Sequence, residues 1–85
     1  MARIEIYTSR LCGFCARAKS LLEQKGLEYE EIDVDGTPGQ KELMVNRANG
    51  AQTVPQIFIN DVHIGGCDDL YGLEAEKQLE TLLES

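Results

Sequence analysis

Cys12-Gly13-Phe14-Cys15 is the segment of this 85-residue chain whose residue types and spacing could do chemistry. Two thiols three residues apart can close a disulfide or share a metal ion. The backbone around them decides which. This pair falls where a strand-like segment hands over to a helical one. A helix N-terminus offers backbone N–H groups without partners and a partial positive charge. Both stabilise a thiolate at Cys12, and such sites lower a cysteine pKa from about 8.5 into a range of about 3.5–7.5. The thiolate is the form that attacks a disulfide. Cys15 lies one helical turn further on, on the same face, close enough to bridge Cys12 and deeper in the helix. On this reading Cys12 attacks and Cys15 resolves.

Two other readings of the same residues stand beside it. A bare C-x-x-C is also half of a zinc site, and Cys12, Cys15, His63 and Cys67 make a complete Cys₃His set. Against this, His63 lies between Val62 and Ile64 on an expected strand, so it should point to the opposite, wetter face. The third reading takes the cysteines as small buried hydrophobes.

The elements that must position the pair can be read from periodicity. Residues 3–8 (RIEIYT) alternate and read as a strand. Residues 13–25 have helical spacing, with Cys15, Ala18, Leu21 and Leu22 on one stripe and Gly26 as the C-terminal cap. Residues 27–34 form a second strand with imperfect alternation, as an edge strand would have. In Gly36-Thr37-Pro38-Gly39-Gln40, Thr37 caps a helix, Pro38 takes its first position and Gln40 completes a capping box. Leu43, Met44 and Ala48 supply that helix's buried side, and Asn49-Gly50 ends it. Residues 56–59 and 62–64 form two strands joined by an Asn60-Asp61 hairpin loop. A last helical region carries Leu70, Leu73, Leu79, Leu82 and Leu83, kinked or divided at Gly72.

The order is therefore β-α-β-α-β-β-α. The first crossover is right-handed between parallel strands, and the last two strands are antiparallel. The class is α/β: a four-stranded mixed sheet with helices on both faces, in one domain spanning residues 1–85. A chain this short buries only about 60–65% of its unfolded surface, so a ligand should lie in a surface groove. The net charge of −7, without a Lys/Arg cluster, argues against nucleic acid and anionic membranes as partners. No apolar run reaches the length of a transmembrane helix, and the first residues lack a signal-peptide layout. The expected location is cytoplasmic, where close cysteine pairs are seldom structural disulfides.

The residues resemble the glutaredoxin family, in particular its small bacterial dithiol members. Four pieces carry the resemblance across nearly the whole chain: the C-x-x-C after the first strand, Thr53-Val54-Pro55 before the third, Gly65-Gly66 after the fourth, and Cys67-Asp68-Asp69-Leu70 opening the last helix. The resemblance implies the thioredoxin-like fold and a thiol–disulfide oxidoreductase that uses glutathione as co-substrate. It implies a cis Pro55, with Thr53 and the Val54 backbone facing the cysteinyl part of glutathione, and Phe14 beside it. Gly66 and the N–H groups of Cys67 and Asp68 would hold the γ-glutamyl carboxylate, and the Asp68 carboxylate the ammonium group. Cys67 would serve through its backbone rather than its sulfur.

Two departures from the family pattern stand out. The lysine usual three residues before the nucleophile is Ser9 here, which leaves Arg10 and Lys41 as candidates for the glycyl carboxylate. Gly13 and Phe14 replace the usual Pro and Tyr, so the segment also resembles cluster-binding members of the family. A 2Fe–2S cluster bridged between two subunits by Cys12 and two glutathiones is the alternative function. The expected partners are glutathione, glutathionylated or disulfide-containing proteins and a separate glutathione reductase. No NAD or flavin motif is present. The chain is expected to be a monomer, dimeric only when it carries a cluster.

Overall fold

A computed structural model of the chain describes residues 2–84. Its elements run β1 (Ile4–Thr8), α1 (Gly13–Gln24), β2 (Glu30–Asp33), α2 (Gln40–Arg47), β3 (Gln56–Ile59), β4 (Val62–Gly65), α3 (Cys67–Ala75) and α4 (Leu79–Leu83). The strands form one mixed sheet in the order β2-β1-β3-β4. β1 pairs parallel with β2 and antiparallel with β3, and β3 pairs antiparallel with β4. β2 is thus an edge strand, as its weak alternation suggested.

The alternation of β1 is real, but both faces are covered. Ile4 and Ile6 join Ala18, Leu21, Leu22, Ile57, Ile59, Leu70 and Leu79 in the core beneath α1, α3 and α4. Tyr7 joins Phe58, Met44 and Ala48 beneath α2. Every residue of β1 is buried, Glu5 included. Such a site would be costly for an unpaired carboxylate. Arg47, from the last turn of α2, meets Glu5 with a two-pronged fork (Nη2–Oε1 2.9 Å, Nη1–Oε2 3.2 Å). The same guanidinium donates to the Tyr7 hydroxyl at 2.8 Å and stacks over Phe58 at 4.1 Å. Arg47 therefore fastens α2 to the two central strands, and its bond to Glu5 holds that carboxyl below the usual range.

α1 follows its sequence pattern: Cys15, Ala18, Leu21 and Leu22 are its buried residues, and Gly26 takes φ +70° just past its end. Several expectations need correction. α2 starts at Gln40, not at Thr37-Pro38, because Gly39 at φ +84° precedes it. No side chain caps it. Thr37 contributes only its carbonyl, to the Gln40 N–H at 3.3 Å. Leu43 is exposed rather than buried; Met44 and Ala48 fill that face, with Val45 packed against them. The last helical region is divided, but not at Gly72, which lies within α3. The break falls at Lys77, at φ +59°, and adds α4 to the expected order. Lys25, at the end of α1, ties the two pieces down with bonds to Glu74 at 2.9 Å and Glu80 at 2.6 Å.

The hairpin turn is Asn60-Asp61, both at positive φ (51° and 67°). This is the backbone signature of the type I′ turn that matches strand twist. β4 carries a register irregularity opposite Ile57 and Phe58. His63 pairs with Phe58 and points away from Ile64, as expected. That face is not the wet one: the imidazole stacks on Phe58 at 5.1 Å and is partly buried.

Candidate active site

The site gathers at one end of the sheet, where β1 leads into α1, the Thr53–Pro55 segment leads into β3, and β4 leads into α3. Cys12 is the N-cap of α1, in extended conformation. Its sulfur accepts the Cys15 N–H at 3.0 Å, so the dipolar end of the helix is aimed at it. Cys12 and Cys15 are joined in a disulfide with Cα atoms 5.2 Å apart. The two sulfurs are not equivalent: Cys12 is half-buried at the rim, whereas Cys15 is 2% exposed in the α1 stripe. Before them, Leu11 takes φ +55° with a fully exposed side chain, and Phe14 is also exposed.

The second wall is the Val54–Pro55 segment, whose peptide bond is cis. The Cys12 sulfur lies 3.8 Å from the Val54 carbonyl oxygen. Thr53 is exposed beside it. The third wall is Gly65-Gly66 and the first turn of α3. Gly65 takes φ +121°, and any Cβ there would overlap the Asp69 carboxylate. That carboxylate accepts the Gly66 N–H at 2.9 Å; Gly66 is the N-cap of α3, and Asp69, three residues on, supplies the reach-back bond of a capping box. Asp68 is exposed, next to the helix N-terminus. The Cys67 thiol packs into the core below α1, and burial pushes its pKa up.

Between these walls lies an open cleft of about 480 Å³, lined by Phe14, Thr53, Val54, Pro55, Gly66, Cys67 and Asp68 among the expected residues, and also by Ala51, Gln56, His63, Gly65 and Asp69. That volume is within the ordinary range for small-molecule sites. The structure does not bring Arg10 or Lys41 into it. Arg10 is exposed, its backbone N–H donating to the Asp35 carboxylate at 3.1 Å, and Lys41 is exposed on the first turn of α2. Of the further lining residues, Gln56 is not singled out by the sequence, and His63 is singled out only as a zinc ligand. The available signal was the polar Gln56 two places before Phe58, on the strand face that His63 shares.

The Cys₃His set is dispersed. The His63 ring nitrogen Nε2 is 2.7 Å from the Gln56 amide oxygen on the α2 side of the sheet, while Cys67 is in the core on the other side. Among the described residues no group of three His, Cys, Asp or Glu side chains stands close enough to hold a metal ion. The disulfide ties up both Cys12 and Cys15; only the reduced pair has a thiolate to offer a metal, and Cys12 is the one at the rim.

The Glutaredoxin family model matches residues 4–64. The chain is 51% identical over 84 residues to glutaredoxin 3 of Escherichia coli, covering 99% of this chain and 100% of that protein. Among solved structures it resembles a glutaredoxin from Brucella melitensis at TM-score 0.84 and 53% identity, covering 98% of this chain and 89% of the other. It also resembles a buckwheat glutaredoxin–glutathione complex at TM-score 0.85 and 30% identity, covering 95% and 76%. A half-buried sulfur and a buried one at a helix N-terminus, facing a cis-proline segment in a thioredoxin-like sheet, agree with these likenesses: the chain belongs to the glutaredoxin family of thiol–disulfide oxidoreductases.

Proposed function

We propose that this protein reduces glutathione mixed disulfides and protein disulfides, with Cys12 as nucleophile, Cys15 as resolving thiol and glutathione as the reductant. One observation carries the reading. The half-buried Cys12 sulfur, at a helix N-terminus, lies 3.8 Å from the carbonyl oxygen of Val54, and Val54 lines a cleft whose other walls are the first turn of α3 and the exposed Asp68. The cysteinyl backbone of glutathione would pair with Val54 as a one-residue strand addition. Its γ-glutamyl carboxylate would take the first-turn N–H groups of α3, at Cys67 and Asp68, beside Gly66. Asp68 would take the ammonium group, and Thr53, Pro55 and Phe14 would enclose the rest. Arg10 and Lys41 would act on the glycyl carboxylate only from outside the cleft, through a field that salt screens. The buckwheat likeness, described as a glutathione complex, supports this choice of ligand.

In the reaction, the Cys12 thiolate attacks the glutathionyl sulfur of a mixed disulfide. That S–S bond breaks, and the substrate leaves as a thiolate that takes a proton from water. Cys12 now carries glutathione. A second glutathione thiolate attacks the same sulfur, releases oxidised glutathione and restores the Cys12 thiolate. Alternatively the Cys15 thiolate attacks Cys12, expels glutathione and forms the disulfide seen here. A separate reductase would recycle the oxidised glutathione. The chain would act as a monomer in the cytoplasm. Among the described residues no helix is long and apolar enough to cross a membrane.

The test is glutathione-coupled turnover of a glutathionylated peptide by wild type, Cys12→Ser and Cys15→Ser. Activity is expected in wild type and Cys15→Ser and not in Cys12→Ser. Equal loss in both variants would overturn the assignment of roles.

A further inference from the structure

The cleft has a second layer that the exchange reaction does not use directly. Gln56 is the first residue of β3 and is 4% exposed, which is unusual for a long amide. Its Nε2 lies 3.0 Å from the Thr53 carbonyl oxygen and 3.4 Å from the Thr53 hydroxyl. A backbone carbonyl can only accept, so the NH₂ end of the amide must face Thr53. The other end, Oε1, then faces His63 Nε2 at 2.7 Å. An amide oxygen can only accept as well, so His63 Nε2 must carry the proton. The direction of the whole chain is set: His63 donates to Gln56, and Gln56 donates to Thr53.

The anchor of this chain is firm. The His63 ring stacks on Phe58, which packs with Tyr7, Met44 and Ala48. The far end is not firm. Thr53 is exposed and belongs to no helix or strand. Gln56 thus links a buried aromatic face to the loop that carries Thr53 and Val54.

We propose that Gln56, oriented by His63, is a positioning residue: it holds the Thr53–Val54 backbone in the conformation that receives the cysteinyl backbone of a glutathionylated substrate. The inference rests on the glutathione reading above. Gln56 touches neither sulfur of the pair, so its loss should weaken substrate binding and leave the exchange chemistry alone. One neutral hydrogen bond, lost where the loop must be reordered on binding, corresponds to about a fivefold change in affinity.

Three variants isolate the links. Gln56→Leu removes all three side-chain bonds, two to Thr53 and one to His63. Gln56→Glu keeps an acceptor for His63 but presents a second acceptor to the Thr53 carbonyl. His63→Phe keeps the stack on Phe58 and leaves Gln56 without its donor. Turnover of a glutathionylated peptide should show KM raised about fivefold in Gln56→Leu and Gln56→Glu, less in His63→Phe, with kcat within about twofold of wild type. In the substrate-free protein, backbone ¹⁵N order parameters of Thr53 and Val54 should fall from about 0.85 toward 0.6 in the Gln56 variants while those of α3 stay high. Unchanged KM and unchanged order parameters in Gln56→Glu would overturn the proposal, as would a parallel loss of kcat with intact KM. If wild type does not turn over the peptide, the glutathione reading fails, and the order parameters alone decide whether Gln56 holds the loop.

Discussion

Replacing Arg47 with methionine should destabilise the protein by about 2–4 kcal/mol at pH 7, and by much less near pH 3. The side chain of Glu5 is 7% exposed on the central strand, and Arg47 is its close two-pronged partner. Removing one member of a buried pair costs about 3–5 kcal/mol, because the remaining charge is stranded. Two features reduce that here: Arg47 itself is 23% exposed, and Arg3 remains 3.5 Å from the Glu5 carboxylate. The lost stack on Phe58 adds back about 0.5–1 kcal/mol. For a domain of this length, 1 kcal/mol moves Tm by about 4–8 °C, so the expected drop is on the order of 10–25 °C. The pH dependence follows from the direction of the shift. In wild type the Glu5 carboxyl is held below its unfolded value of about 4.3, chiefly by the bond to Arg47. The pair's contribution is therefore complete above that value and fades as pH falls through the folded one. In Arg47→Met burial pushes the same carboxyl up, so the variant regains stability as the pH falls. Urea unfolding at pH 7 and pH 3 reads the difference directly. A loss of equal size at both pH values, or one under about 1 kcal/mol at pH 7, would refute the claim that Arg47 neutralises a buried charge.

Further outcomes follow from the same geometry. Gly65→Ala should cost more than Asp69→Ala, which loses only the capping-box bond from the Gly66 N–H at the start of α3, about 1 kcal/mol. The alanine methyl both displaces the Asp69 carboxylate and forces a non-glycine residue to φ +121°. Thermal melts of the two variants give the order, and the reverse order would mean that the cleft wall can give way. Lys25→Met should lower Tm and speed amide exchange in α4, by an amount that shrinks in high salt. Because Glu80 is held below its usual range by Lys25, this clamp should weaken as pH falls through the Glu80 titration.

Much of the site was legible because its chemistry depends on local signals. The C-x-x-C announces a helix start, the Val54-Pro55 step precedes a strand whose range matches its pattern, and Gly65-Gly66 marks a close approach, where a Cβ at Gly65 would collide with the Asp69 carboxylate. What was not legible depends on partners remote in sequence. Nothing near Glu5 indicates that Arg47, 42 residues later, will neutralise it, so the burial of β1 on both faces could not be read. His63 was placed on the correct face, but the cover on that face comes from Phe58 and the α2 side. The start of α2 and the break before α4 turn on Gly39 and Lys77 at positive φ. For Lys77, a residue with no preference for that region, the sequence carries no signal.

The most direct test of the central claim is to trap the first covalent step. Cys15→Ser, incubated with oxidised glutathione and mapped by peptide mass spectrometry, should carry a single glutathione on Cys12, and added reduced glutathione should remove it. Glutathione found on Cys67, or no adduct on a folded Cys15→Ser protein, would contradict the account.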